Sequence, residues 1–279
     1  MNEKIEFRNP SIVERIKGML SVDFYRLFHT PLFYIFLGIA AIIPALVSMG
    51  MSTTDPNTGQ ITGSSLECIW IMVAVEKPLY VVNTIAEYAN MNMVFIFGGI
   101  MASIFIGHDY KSGYVKQLFT THAKKQDYMI SKTLICAFSM ACMCLTYLLG
   151  TIVSGIFNQI SFRVNAGSLI LAILGKMVMS LGWASLYTFL NIIFRRYFGL
   201  SIFSSFFFGT GILIIGVGAI VDSLSLNSSF LNIFLYGSSV NACLSSNFLT
   251  LIICIIVSLF WAVAYNLLGT YILNKSDVY

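Results

Sequence analysis

"HDYKSGYVKQLFTTHAKKQDYMISK", residues 108–132, places five lysines, Lys111, Lys116, Lys124, Lys125 and Lys132, between two long apolar blocks. It is the most polar long stretch of a 279-residue chain in which 57% of residues are hydrophobic, 14% aromatic and only 10% charged. Such a chain has too little polar surface to cover a water-soluble globule. Its apolar residues gather into separate blocks near the roughly 20 residues that cross about 30 Å of hydrocarbon, so it reads as an all-α polytopic membrane protein. A transmembrane barrel needs strand alternation, which the blocks lack.

Working outward from the lysines, the blocks fall at 31–51, 88–107, 133–157, 167–194, 200–221 and 249–273, and they predict six spans in a single transmembrane domain. Lys4, Arg8, Arg15, Lys17 and Arg26 precede the first block, Arg195 and Arg196 lie between the fourth and fifth, and Lys275 follows the sixth. The alternate loops hold only Lys77 and Arg163, with Lys176 inside a block. By the positive-inside rule both termini and the lysine-rich loop belong to the cytoplasm, which leaves 52–87 and 222–248 as external loops of a cytoplasmic-membrane protein. Topology thus accounts for the net charge of +4, and no nucleic-acid partner is expected. Because the apolar run starts only at position 31, behind five cations, the N-terminus does not read as a cleaved signal. "LECIWIMVAV", bracketed by Glu67 and Glu76, is too short to span and predicts a surface or re-entrant helix.

In "SIVERIKGMLSVDFYRLFHT", residues 11–30, Ile12, Ile16, Met19, Leu20, Phe24 and Leu27 share one helical stripe, while Glu14, Arg15, Lys17 and Arg26 lie largely off it. The pattern predicts an amphipathic helix at the membrane interface, its cations on anionic headgroups and its stripe in the acyl boundary. Packing on a neighbouring protein element is the alternative. From Ser112 onward, Tyr114, Val115, Leu118 and Phe119 recur at helical spacing with Lys111 and Lys116 elsewhere on the circle. Topology and anionic lipid account for the lysines alone. The aromatic face suits docking on a partner protein, where aromatic anchors concentrate interface energy.

Catalytic patterns are scarce. His29, His108 and His122 form no pair at metal-ligand spacing on a span, no Gly-x-Ser-x-Gly elbow occurs, and no paired acids lie within a block. "GSLILAILGK", residues 167–176, has a Gly-Lys pair without Walker spacing, so no ATP site is expected. Lys176 lies about nine residues, or about 13 Å, inside its block. It reads either as part of a substrate path or interhelix pair, or as a side chain snorkelling outward. Cys136, Cys142, Cys144 and Cys254 read as apolar filler, whereas Cys68 and Cys243 fall in external segments and are candidates for a disulfide.

Around the second and third blocks the chain resembles the type-2 ABC exporter permeases. That family has an acidic residue, a Gly, a short helix, a basic residue and, seven positions later, a Lys opening the next span. Asp109, Gly113, Lys125 and Lys132 stand in those places. The family commonly has Glu and Arg where this chain has Asp109 and Lys125, and Lys lacks the planar fork of Arg. The resemblance implies that residues 109–127 form a coupling helix seated on a separate ATPase, with Asp109, Lys111, Gly113, Tyr114, Lys116, Leu118, Phe119 and Lys125 as coupling residues. It further implies two ATPase chains carrying ATP and Mg, no cofactor in this chain, and a second permease chain completing the pore. The expected cargo is an amphipathic peptide, a toxic hydrophobic compound or a lipid. A non-transporting accessory or sensor subunit that docks an ATPase is one alternative. A secondary transporter is the other, disfavoured because the blocks contain no acidic residue to hold a coupling ion.

Overall fold

The computed structural model describes residues 11–51, 53–54, 61–62, 92–120, 123–157, 166–224, 228–244 and 248–275. The first helix, α1 (Ile12–Phe28), opens on Ser11, whose Oγ accepts from the Glu14 N–H at 3.2 Å while the Glu14 carboxylate accepts from the Ser11 N–H at 2.7 Å. This reciprocal box satisfies two otherwise orphaned donors. Pro31 then starts α2 (Pro31–Met51), and because the residue before a proline is driven out of helical geometry, α1 cannot run on. The chain bends by 68° there, with Thr30 Oγ1 donating to Arg26 O at 2.6 Å.

Strands β1 (Thr53–Thr54) and β2 (Ile61–Thr62) pair antiparallel, Thr53 opposite Thr62. The remaining elements are helical: α3 (Asn92–Lys111), α4 (Tyr114–Thr120), α5 (Lys125–Phe157), α6 (Ala166–Ile193), α7 (Phe198–Gly209) and α8 (Ile212–Ser223). A 3-10 turn (Ser228–Ile233), α9 (Leu235–Leu244) and α10 (Phe248–Lys275) complete the described chain. Five stretches are long and apolar enough to cross a membrane: α3, α5, α6, α7 with α8, and α10. A sixth is added if the bent pair of α1 and α2 makes one span. The protein is therefore a multi-pass helical membrane protein.

Several expectations change. The lysine-rich loop is mostly helix: α3 continues through Asp109 to Lys111, and α5 starts at Lys125, eight residues before the apolar block. Position 209 ends α7 and Gly211, at φ +67°, interrupts the fifth block, because Tyr236 packs so closely that a Cβ on Gly211 would fall 2.3 Å from its ring. Part of the segment expected as an external loop at 222–248 returns into the bundle: Trp261, halfway along α10, donates its indole N–H to Ile233 O at 2.7 Å, and Ser238 Oγ donates to Cys254 O at 3.3 Å. Residues 66–75, expected as a short helix, lie outside the described residues.

Without water to drive helices together, close backbone approach and interhelical hydrogen bonds hold such a bundle. One face of α7 is Ser201, Ser204, Ser205 and Gly209, all buried, while Phe203 and Phe206 point outward. Ser205 Oγ meets Ser103 Oγ of α3 at 2.7 Å, and Asn191 Nδ2 of α6 donates to the same Ser103 Oγ at 3.1 Å. Ser201 Oγ closes the ring by donating to Asn191 Oδ1. Elsewhere α6 and α10 touch where a Cβ on Gly182 would stand 2.3 Å from Ser258 Oγ, and α5 meets α2 where one on Gly150 would stand 2.0 Å from Ala41 O. Gly150→Val should therefore force the two backbones apart and cost about 1–3 kcal/mol. Gly38→Val, with open space around it, is the control; thermal unfolding in detergent should show a lower midpoint for the first and an unchanged one for the second.

Candidate functional site

At the end of the bundle that carries α4, four charged side chains from three helices close on one another. Asp23 sits on α1 amid the apolar stripe and Arg26 follows at i+3; Asp109 comes from the last turn of α3 and Lys132 from the third turn of α5. Lys132 Nζ lies 2.5 Å from Asp23 Oδ1 and 2.6 Å from Asp109 Oδ2. Arg26 Nη2 pairs with Asp109 Oδ1, and Arg26 Nη1 lies 3.7 Å from Asp23 Oδ1. Ser131 Oγ donates to Asp23 Oδ2 at 3.0 Å, which occupies the second carboxylate oxygen. The signs alternate around the ring and the total is zero.

Desolvation decides how such a cluster behaves. Asp23, Asp109 and Lys132 are at most 2% exposed, so each charge depends on its neighbours rather than on water. Aromatic faces finish the shell. The Lys132 ammonium stands 5.0 Å from the centroid of Phe105 and 5.5 Å from that of Tyr114, and the Arg26 guanidinium stands 4.7 Å from Tyr114. Burial opposes the charge on Arg26, but Asp109 and then Asp23 outweigh it and hold its pKa above the ordinary value. Burial likewise raises the Tyr114 phenol above its usual range, against a lowering pull from Lys132.

Gly113 links this cluster to α4. It adopts φ +75°, the left-handed conformation that terminates α3, with its N–H on Tyr110 O at 3.3 Å and the Ser112 N–H on His108 O at 2.9 Å. The sharp turn brings α4 back across the base of α3 and α5. Val115 is buried against Tyr128, Met129, Ile192 and Leu273, and Phe119 packs edge-on to Tyr128 at 5.6 Å. Leu118 and Phe119 are half-buried in this packing, so the aromatic face expected for a partner is turned largely toward the chain itself. Lys111, Ser112, Lys116, Gln117 and Thr120 are exposed. Lys125 Nζ donates to Leu273 O at 2.6 Å, capping the last turn of α10. Arg15 and Asp127 pair at 2.7 Å, a second tie between α1 and α5.

Asp109, Gly113 and Tyr114 thus converge on one structure, and Lys132, expected at the mouth of a span, lies at its centre. Asp23, Arg26 and Ser131 are the members that sequence reasoning missed. Most of the stripe expected to enter lipid lies against the protein: Leu27 is buried and Ile16, Met19, Leu20 and Phe24 are half-buried, while Ile12, the first residue of the stripe, faces outward with Val13, Val22 and Tyr25. Lys176 is elsewhere. It is fully buried between α6 and α9, with Nζ 3.4 Å from Ser239 O and 5.8 Å from the Phe95 ring. Cys68 and the side chain of Cys243 lie outside the described residues, and the disulfide with them.

No family model matches the chain, and no curated protein matches it. Lys132→Met leaves the buried carboxylates of Asp23 and Asp109 to share Arg26 alone and should cost about 3–5 kcal/mol, read as a lower unfolding midpoint. Adding Asp23→Asn and Asp109→Asn to Lys132→Met should recover part of that loss. Equal midpoints for wild type and Lys132→Met would show the cluster to be energetically inert.

Proposed function

We propose that the chain is the permease subunit of an ATP-driven exporter of the type-2 ABC kind. In this reading it moves an amphipathic or hydrophobic substrate across the cytoplasmic membrane, with ATP and Mg bound by two copies of a separate ATPase. Two permease chains complete the pore, both termini are cytoplasmic, α2 is the first of six spans, and α1 lies along the interface.

The observation that carries the reading is α4, a short helix whose exposed edge of Lys116, Gln117 and Thr120 stands on a base stiffened by buried ion pairs. A coupling element has to transmit force without yielding. The pairs Lys132–Asp23, Lys132–Asp109 and Arg26–Asp109 each join a different two of α1, α3 and α5, so displacing α4 with the end of α3 displaces α1 and α5 as well. The exposed cations Lys111 and Lys116 favour an acidic cleft on the partner. A docking-only accessory subunit would use the same surface, and it differs in leaving ATP turnover unresponsive to substrate.

The test is a mild-detergent pull-down of tagged full-length protein from its host, followed by ATPase assay of the complex. Wild type should retain a Walker-containing ATPase in near-equal amount, with turnover stimulated by hydrophobic cargo. Lys116→Glu combined with Gln117→Glu should lose that subunit while the chain still purifies as a folded species of wild-type size, since both positions are exposed. Absence of any ATPase from the wild-type sample defeats the reading. A bound ATPase indifferent to cargo transfers it to the accessory class.

A further inference from the structure

A cavity of about 380 Å³ lies between α6, the junction of α7 and α8, the 3-10 turn, α9 and α10. Its volume is in the range of small-molecule sites. Trp183, Leu235 and Tyr236 form its buried floor, and Gly211 closes one corner, where no side chain fits against Tyr236. Leu213, Val217, Phe230 and Phe234, all exposed, form its mouth on the outside of the bundle.

Depth and chemistry restrict the occupant. The α7–α8 junction lies about 18 Å along this span from Phe198, at 1.5 Å per residue, and Trp261 of the wall is halfway along α10. The mouth therefore opens at the height of the hydrocarbon core. The walls are almost wholly apolar, and the two indole N–H groups that line them are already engaged: Trp183 donates to Ser239 Oγ at 2.8 Å and Trp261 to Ile233 O at 2.7 Å. Beyond the phenols of Tyr236 and Tyr265 the lining offers no further polar side chain, so a peptide group or a headgroup entering here would lose most of its hydrogen bonds to water. A hydrocarbon chain loses nothing, and it is the species present at the mouth.

We infer that this cavity is a lateral site for the acyl chain of a membrane lipid, entered between α8 and the 3-10 turn with the headgroup left outside. It lies away from the charged cluster and α4, and it holds whether or not an ATPase binds there.

Trp183 supplies the probe, because at 2% exposure it meets lipid only through the cavity. The full chain carrying Trp70→Phe and Trp261→Phe keeps Trp183 as its one indole. It is reconstituted in nanodiscs of phosphatidylcholine with either ordinary or dibrominated acyl chains. The inference predicts loss of most Trp183 emission in brominated lipid, and recovery of that emission when Val217→Phe plugs the mouth. Equal emission in the two lipids overturns it, as does quenching that the plug leaves unchanged. A second copy of the chain covering the mouth would appear as absent quenching together with cross-linking between copies through Leu213→Cys, and that too overturns it. Should the two-tryptophan replacement fail to fold, the comparison runs on the wild-type chain with and without Val217→Phe. The plug must then raise emission in brominated lipid alone.

Discussion

One ammonium group, Lys132 Nζ, held between the carboxylates of Asp23 and Asp109, sets the geometry of the whole α4 end of the bundle. Three helices meet at it, and each brings a charge that has no other means of leaving water. Two carboxylates forced together would repel, and one cation alone would be left desolvated; only the alternating set of four is tolerable. The seat of α1, the ending of α3 and the rotation of α5 are consequently fixed together. Tyr114 lies over this set, which is why a helix as short as α4 has a defined position at all.

Above that end a different economy holds. The long helices are apolar on nearly all sides, so hydrophobicity does not distinguish their inner from their outer faces. Small and hydroxylated residues do. Ser201, Ser204, Ser205 and Gly209 turn α7 inward, Gly150 admits α2, and Gly182 admits Ser258 of α10. The stacked rings of Phe95, Trp183 and Tyr187 then fill the space between α3 and α6.

Much of the architecture was legible because long apolar runs in a lipid solvent leave few alternatives to helices. The apolar blocks at 31–51, 167–194 and 249–273 coincide with the helices α2, α6 and α10 to within about two residues, the ordinary uncertainty of helix ends. Hydropathy failed where helices continue into polar sequence. Asp109 and Lys111 belong to α3, and Lys125 to Lys132 belong to α5, yet their charges read as loop. The lone carboxylate of Asp23, set among Met19, Leu20 and Leu27 on the α1 stripe, was the available sign of a buried pair. Its shortest contacts, to Lys132 and Ser131, come from more than a hundred positions away, which no local pattern reveals. The inward return of residues 228–244 was hidden for a similar reason, since "FLNIFLYG" is as apolar as a lipid contact and its depth is marked by bonds to distant helices, from Trp261 to Ile233 O and from Ser238 to Cys254 O.

The charge ring also orders events in the making of the protein. Asp23 and Arg26 leave the ribosome well before Asp109 and Lys132 exist, and α1 by itself offers them only each other. Until α3 and α5 are in place, α1 has only water to solvate its two charges beyond their pairing with each other. It can bury them only after that. A helix synthesised before α3 and α5 is therefore seated only after both, and its docking reports that the helix on each side of α4 has already reached its place.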